Sequence, residues 1–477
     1  MNYNRYTRTK IIATIGPASL NESILEKMIL AGMDVCRINS SHGDHIMMKQ
    51  AIECIRKLNE KLNTHVAILF DLQGPKIRIG DLEEKNIVLK NGDELLLNHR
   101  EVPGTSKEVF IKYPDFFKDV NIGDAVLVDD GKIELKVIEI LPDERVKTKV
   151  IHGGPLASRK GVNLPNTIIS LPSLTVKDRK DLAFALENKV EWIGLSFVRK
   201  PEDVIELKNI IKAANSRTRV IAKIEKPEAV LKIDAIIAVS DGIMVARGDL
   251  GVEMAMEKVP VIQKAIVKKC NQAAKPVIIA TQMMESMITN YRPTRAEAND
   301  VGNAVFDGAD ALMLSAETSV GVFPVGTVEA MQKIIKEIES EDTIFYREHA
   351  PAKDSPNFIP ENICYISALM AKQTNASAIV AMTHSGMTAF KIAAHRPKSP
   401  IYIFTDNLPI LTTLNLVWGI RGFYYDKYES TDVTIVDIKK YLVEHGFVKS
   451  GEYIIHIAST PLHERATANT LKLTKIE

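Results

Sequence analysis

The chain has 477 residues, 45% of them apolar and 25% charged, with a formal charge of +1. At about 150 residues per domain, that length suits roughly three compact domains of ordinary globular make-up. Charge this close to zero gives no support to a general nucleic-acid surface or an anionic-membrane partner, so any bound anion must be caught by local clusters.

The opening MNYNRYTRTKIIATIG carries charge but no long apolar stretch, so no secretory signal is expected. No run of about 18 apolar residues occurs, so no membrane span is expected either. Cys36, Cys54, Cys270 and Cys364 are scattered with no C-x-x-C pair. They are expected to be free, mostly buried thiols in a reducing compartment, which makes a cytoplasmic protein the simplest expectation.

In chain order, strand-length apolar runs begin with KIIATIG at 10–16, DVCRINSS at 34–41 and HVAILFD at 65–71. Behind the third, DLQGPKIRIG stops the run with Asp71, breaks it at Gly74-Pro75, and sets Lys76 and Arg78 two apart on one face of an extended segment. The texture then changes. KNGDELLL, NIGDAVLVDDGKIELKVIEI and RVKTKVIHGG are short alternating runs punctuated by Asn-Gly, Gly-Asp and Asp-Gly turns, which predicts an all-β insert over 73–169.

The first pattern resumes with EWIGLSFV at 191–198, RVIAKIE at 219–225, GIMVARGD at 242–249, PVIIATQ at 276–282 and ALMLSAE at 311–317. Amphipathic segments such as 44–61 and 327–340 alternate with these runs. Continuous apolar runs alternating with helices indicate a parallel sheet covered on both faces. Eight such units predict a (β/α)8 barrel over 1–72 and 170–344, with an open doubly wound sheet as the rival. The insert then leaves the end of a barrel where chemistry is carried, as a lid that excludes water would. HAPAKDSPNFIPEN reads as a polar, proline-bearing linker. Behind it SAIVAMTHSG, MTAFKIAAHRP, SPIYIFTDN and YIIHIAST indicate a separate α/β domain over 345–477.

No G-x-x-x-x-G-K-[ST] occurs and no G-x-G-x-x-G follows a strand, so phosphate handling must rest on side chains and metal. The ends of the barrel runs hold the candidates. Lys223-x-Glu225 aims both side chains the same way in a strand, and Asp249 ends the next run, so two carboxylates converge. Such a pair suits Mg2+ or Mn2+. Lys223 beside it supplies fixed positive charge where a phosphoryl group is transferred. The plain alternative is a buried Lys–Glu ion pair capping the barrel. Arg37 with Asn39 and Ser41, its period-two neighbours, forms a contact row for an anion and a cation. His42 is expected to touch a polar ligand and His45 to be a solvated helix-start residue. Thr281 and Ser315 are strand-end hydroxyls, functional or not. In THSGMT, Thr383, Ser385, Gly386 and Thr388 stand between a strand and a helix, as a phosphate cradle or as an N-cap without a ligand.

Taken together, RTKIIATIGPAS, RINSSHG, DLQGPKIR, RKGVNLP, AKIEKPEAV, MVARGDLGVE, ATQMMESMI and PTRAEANDVGNAVFDGADALMLSAET closely resemble the pyruvate kinase family, strongly over about 8–340 and more loosely beyond. The resemblance implies a (β/α)8 barrel with a β-rich lid and a C-terminal regulatory α/β domain. It also implies transfer of the phosphoryl group of phosphoenolpyruvate to ADP, giving ATP and pyruvate, in a homotetramer that uses Mg2+ or Mn2+. Arg37 would hold the substrate phosphate and Lys223 would stabilise the transferring group and the enolate. Glu225 and Asp249 would bind the divalent metal, with the Gly248 backbone and Thr281 on the substrate. Arg78, Lys160, Asn39 and His42 would serve the nucleotide. Thr281 and Ser315 stand in the region from which the enolate is protonated.

Two departures from the family carry expectations. Many members bind K+ through residues matching Asn39, Ser41, Asp71 and Leu72, with Thr at the last position and Glu where this chain has Lys76. Leu72 offers no hydroxyl, and Lys76 places an ammonium where the monovalent charge is otherwise wanted, as a replacement for the ion, so activity independent of K+ is expected. Members that bind fructose 1,6-bisphosphate usually have Lys where this chain has His384, and their loop near the end differs from PLHERATAN. A sugar monophosphate or AMP is therefore the expected effector at the Thr383–Thr388 loop. The rival functions are a metal-dependent aldolase or lyase acting on a 2-keto acid, and a catalytically silent metabolite sensor.

Overall fold

The computed structural model describes residues 6–84, 87–165, 167–427, 430–460 and 466–477. The eight strand-length runs all become strands: β1 (Lys10–Thr14), β2 (Val35–Asn39), β3 (Ala67–Asp71), β4 (Trp192–Leu195), β5 (Arg219–Ile224), β6 (Gly242–Ala246), β7 (Val277–Ala280) and β8 (Ala311–Leu314). They close into one barrel in sequence order, every neighbour parallel, with β8 pairing back to β1. The rival open sheet is thereby excluded.

Their apolar runs are continuous because both faces are covered. Alternate residues part into two cores. Ile11, Ile68, Ile193 and Val245 pack outward with helix residues such as Leu25, Ile55 and Leu207. Ile12, Leu69, Ile221, Met244 and Ile278 fill the interior, which runs on without a break into Ile379, Phe390 and Ile403 of the C-terminal sheet. Gly194 in β4 answers a specific steric demand: a Cβ there would lie 2.7 Å from Asp71 Oδ1, so only glycine leaves room for that carboxylate.

Between β3 and β4 the chain builds the expected β-rich insert. Its main sheet runs Val162–Asn163, Ala125–Val128, Ile133–Ile140, Val146–His152, Glu94–Asn98 and Glu108–Phe110. These strands wrap a core of their own that reaches from Ile77 to Ile169. One short helix, Phe116–Asp119, sits among the strands where the sequence indicated only strands and turns.

The C-terminal sheet has five strands, β9 (Ala378–Met382), β10 (Ile401–Thr405), β11 (Ile420–Tyr424), β12 (Tyr453–Ala458) and β13 (Thr470–Lys475), in the order β11-β10-β9-β12-β13 with only the last antiparallel. One expectation needs correction: the linker read as running through Asn362 ends earlier. Phe358–Thr374 is helical, and Pro360 falls in its first turn, where the missing N–H costs no helical bond. This unit docks on the barrel's N-terminal end through Arg396. Its Nη2 donates to Asp310 Oδ2 at 2.9 Å and to the carbonyls and amides around it, Gly308 O at 2.8 Å and Asn271 Oδ1 at 2.9 Å. Cys36, Cys270 and Cys364 are buried and Cys54 is half-buried, all as free thiols.

Candidate active site

Parallel strands point all their C-terminal ends to one rim, and the candidates that end barrel runs lie at those strand ends. Lys223 is buried, and its ammonium meets three oxygens: Ser196 Oγ at 2.7 Å, Glu225 Oε1 at 2.9 Å and Asp71 Oδ1 at 3.3 Å. Burial works against the charge on Lys223, but Asp71 and Glu225 outweigh it and hold the ammonium above the ordinary lysine range. Burial lifts the Glu225 carboxyl to about 6, with the charge of Asp249 adding to the effect and Lys223 opposing it. Glu225 Oε2 is oriented by the backbone N–H of Phe197 at 2.7 Å.

Arg37 is tied to the neighbouring strands. Its Nε and Nη2 donate to Asp71 Oδ2 at 2.9 and 2.5 Å, and its Nη1 to Thr14 Oγ1 at 2.9 Å. Asp71 is fully buried. Although burial raises it, Lys223 and then Arg37 hold its carboxyl below the usual range. Asp71 therefore faces Arg37 and Lys223. Lys76 is exposed and makes no ion pair among the described residues, and Leu72 is buried.

Asp249 lies on the short helix Arg247–Glu253 behind β6, half-buried, its side chain without a hydrogen bond or ion pair among the described residues. With Glu225, one residue past β5, it offers hard oxygen donors from the segments that follow two adjacent strands, a donor set that fits Mg2+ or Mn2+. Gly248 N donates to Thr281 Oγ1 at 2.7 Å, and that hydroxyl donates to Ala280 O at 2.6 Å. Thr281 and Gln282 both hold left-handed backbone, φ 68° and 54°, which non-glycine residues adopt only when the surroundings enforce it. Ser315 ends the adjacent strand, its N–H bound to Glu317 Oε2 at 2.6 Å.

At the lid side of the rim, His42 is pushed down by burial and then by Arg78, Arg37, Lys76 and Lys177. Asn39 Oδ1 accepts from Ser41 N at 3.1 Å, and Asn39 O from His42 N at 3.3 Å, which turns the loop tightly behind β2. Arg78 Nη1 donates to Arg159 O at 3.0 Å, and Lys160 pairs with Asp129 at 2.8 Å. His45 is more than solvated. It starts the helix His45–Leu62, pairs with Asp181 at 2.8 Å and stacks on Phe184.

Sequence reasoning missed Ser196, the Phe197 N–H and Thr14. Ser196 lies one residue beyond β4 in an unremarkable LSF run, and its role shows only once β3, β4 and β5 are neighbours.

In the C-terminal unit, Gly386 (φ 80°) opens the helix Met387–Ala394, with Gly386 N on Thr383 Oγ1 at 3.1 Å and Met387 N on Ser385 Oγ at 3.4 Å. A cavity of ≈840 Å3 borders this loop and includes Thr388, Lys391, Asp406 and Asp426. His384 pairs with Asp406 at 2.8 Å. Of PLHERATAN, residues 461–465 lie outside the described residues.

Residues 6–328 match a family model described as pyruvate kinase, barrel domain, and residues 361–474 one described as pyruvate kinase, alpha/beta domain. A pyruvate kinase of Clostridium acetobutylicum is 40% identical over 476 residues, covering 98% of this chain and 100% of its own length. One of Clostridium perfringens is 42% identical over 473 residues, with 98% and 100% covered. The crystal structure of a pyruvate kinase from Cryptosporidium parvum superposes with a TM-score of 0.92 at 36% identity, covering 99% of this chain and 96% of that one.

Proposed function

The chain belongs to the pyruvate kinase family, and on that premise we propose how its own residues carry the family's reaction, the transfer of the phosphoryl group of phosphoenolpyruvate to ADP to give pyruvate and ATP. The observation that carries the assignment of roles is the Lys223 ammonium, kept charged by Asp71 and Glu225 at the barrel mouth. Arg37 holds the substrate phosphate with the face of its guanidinium not committed to Asp71. Lys223 neutralises charge on the group in transfer and on the enolate left behind. Gly248 N–H and the Thr281 hydroxyl orient the substrate. Arg78, Lys160, His42 and Asn39 receive the nucleotide phosphates, Lys160 by exchanging its Asp129 partner for one. Thr281 and Ser315 border the place where the enolate gains its proton. Glu225 and Asp249 would hold the divalent ion, Mg2+ or Mn2+, which would supply positive charge to stabilise the developing oxyanion. Positioning and preorganised charge do most of the work.

The same reading makes 1–72 with 170–344 the catalytic barrel, 73–169 the lid and 345–477 the regulatory unit, in a cytoplasmic homotetramer. Activity is independent of K+, because Lys76 brings its own monovalent charge to the mouth and Leu72 removes a ligand for the ion. A phosphorylated metabolite, a sugar monophosphate or AMP, activates from the cavity beside Thr383, Ser385, Gly386 and Thr388. The carboxylates of Asp406 and Asp426 in its wall disfavour a second phosphate. The test is pyruvate formation from phosphoenolpyruvate and ADP with Mg2+, with and without K+, then with a panel of phosphosugars and AMP. Pyruvate released without ADP would instead favour a lyase, and no turnover would favour a sensor.

A further inference from the structure

Glu253 ends the helix that carries Asp249, and its side chain is 1% exposed. Its Oε1 accepts two hydrogen bonds, from Lys226 Nζ at 2.7 Å and from Asn163 Nδ2 at 2.8 Å. Its Oε2 is buried as well and has no partner among the described residues. Three parts of the molecule meet at this one carboxylate. Lys226 directly follows Glu225. The helix itself bears Asp249. Asn163 lies in Val162–Asn163, the strand by which the chain returns from the lid. The returning segment 161–163 forms the stem of the lid: Gly161 bridges Arg78 on the outgoing segment, and Val162 N donates to Ile77 O at 3.0 Å.

We propose that Glu253 is a positioning residue, the joint through which the lid's position is passed to the two carboxylates at the barrel mouth. Two donors crowd one oxygen while its twin lies buried and unbonded, an arrangement that costs free energy. A small swing of the stem lets Asn163 move to Oε2 and leaves Lys226 on Oε1, so every polar atom is then satisfied. The carboxylate turns with that exchange, carrying Lys226 and the backbone beside Glu225. In the other direction, a lid held over the nucleotide fixes Asn163 and so fixes Glu253. A mere structural ion pair between Lys226 and Glu253 would be indifferent to the lid. The inference rests on the reading that Arg78 and Lys160 bring the lid to the nucleotide.

Asn163→Ala removes the lid's bond and leaves the ion pair intact; Glu253→Asp keeps the charge but falls short of Asn163. In full-length enzyme each should raise KM for ADP about fivefold and lower kcat, with KM for phosphoenolpyruvate little changed. Combined, they should do no more than the larger single change. Amide exchange at 77–79 and 160–163 should quicken in the ligand-free Asn163→Ala protein. Should Glu253→Asp fail to fold, Asn163→Ala decides alone. Equal changes in both KM values, additive effects in the double variant, or an Asn163→Ala enzyme with unchanged KM for ADP would overturn the joint. A wild type that makes no pyruvate would remove the reading of function instead; exchange then judges the joint, quicker exchange upholding it and unchanged exchange overturning it.

Discussion

Lys223, near the end of β5, and Glu225, one residue beyond it, have Nζ and Oε1 2.9 Å apart, both buried at the barrel mouth. Period two fixes their common direction, and the shared burial fixes their mutual dependence. Lys223→Met removes the charge that the transferring group meets, while both carboxylates stay in place. Turnover should fall on the order of 10²–10³-fold. Mn2+ affinity of the free protein, followed by titration, should change far less. A variant that turns over near the normal rate would contradict the role given to Lys223.

The C-terminal unit is joined to the barrel by a buried ion pair. Arg396 is 1% exposed and is the cation facing Asp310, which also accepts from Val277 N at 3.0 Å and Trp418 N at 3.2 Å. Arg396→Met strands a buried carboxylate between the barrel and the C-terminal sheet. Removing one partner of a buried pair costs about 3–5 kcal/mol, so denaturant unfolding should show a loss of that order. Arg396→Met with Asp310→Asn should recover part of it.

How much of this was legible beforehand follows from what each feature needs. The eight barrel strands show in the sequence because burial on both faces makes their apolar runs continuous, and the rim residues show because each ends a run. Val128 and Ile133 likewise declare the lid, through alternation across an Asp-Gly turn. β11 and β13 carry weaker signals: Ile420–Tyr424 is mostly half-exposed, and Thr470–Lys475 is an exposed edge. Phe116–Asp119 is a single turn, too short for any period. Arg396 and Asp310 lie 86 residues apart, and Asn163 and Glu253 lie 90 apart, so no local pattern announces either pair. Such contacts exist only after the topology does.

Potassium gives a third test. Wild-type turnover should be little changed when K+ is replaced by a bulky organic cation at constant ionic strength. Leu72→Thr with Lys76→Glu should convert the enzyme to one that needs K+, because the built-in charge is gone and an oxygen ligand has returned. A many-fold rise of wild-type activity on adding K+ would sink the proposal for Lys76.

A histidine remote from the chemistry makes stability depend on pH. His395 is buried, its ring tilted against His349 at 4.5 Å between centroids, and its Nδ1 has no partner among the described residues. Burial, then His349, then the charges of Lys391 and Arg396 push the imidazole down to about 3 from an ordinary 6.5. Between those values the unfolded chain binds a proton that the folded chain refuses. The stability tied to this group is therefore whole above pH 6.5 and lost progressively as pH falls towards 3. From pH 7.5 to 5 the loss from this one group is about 2 kcal/mol. Denaturant unfolding at the two pH values should show His395→Phe losing less stability than the wild type over that interval. Parallel losses in the two proteins would mean that His395 already shares its proton in the fold.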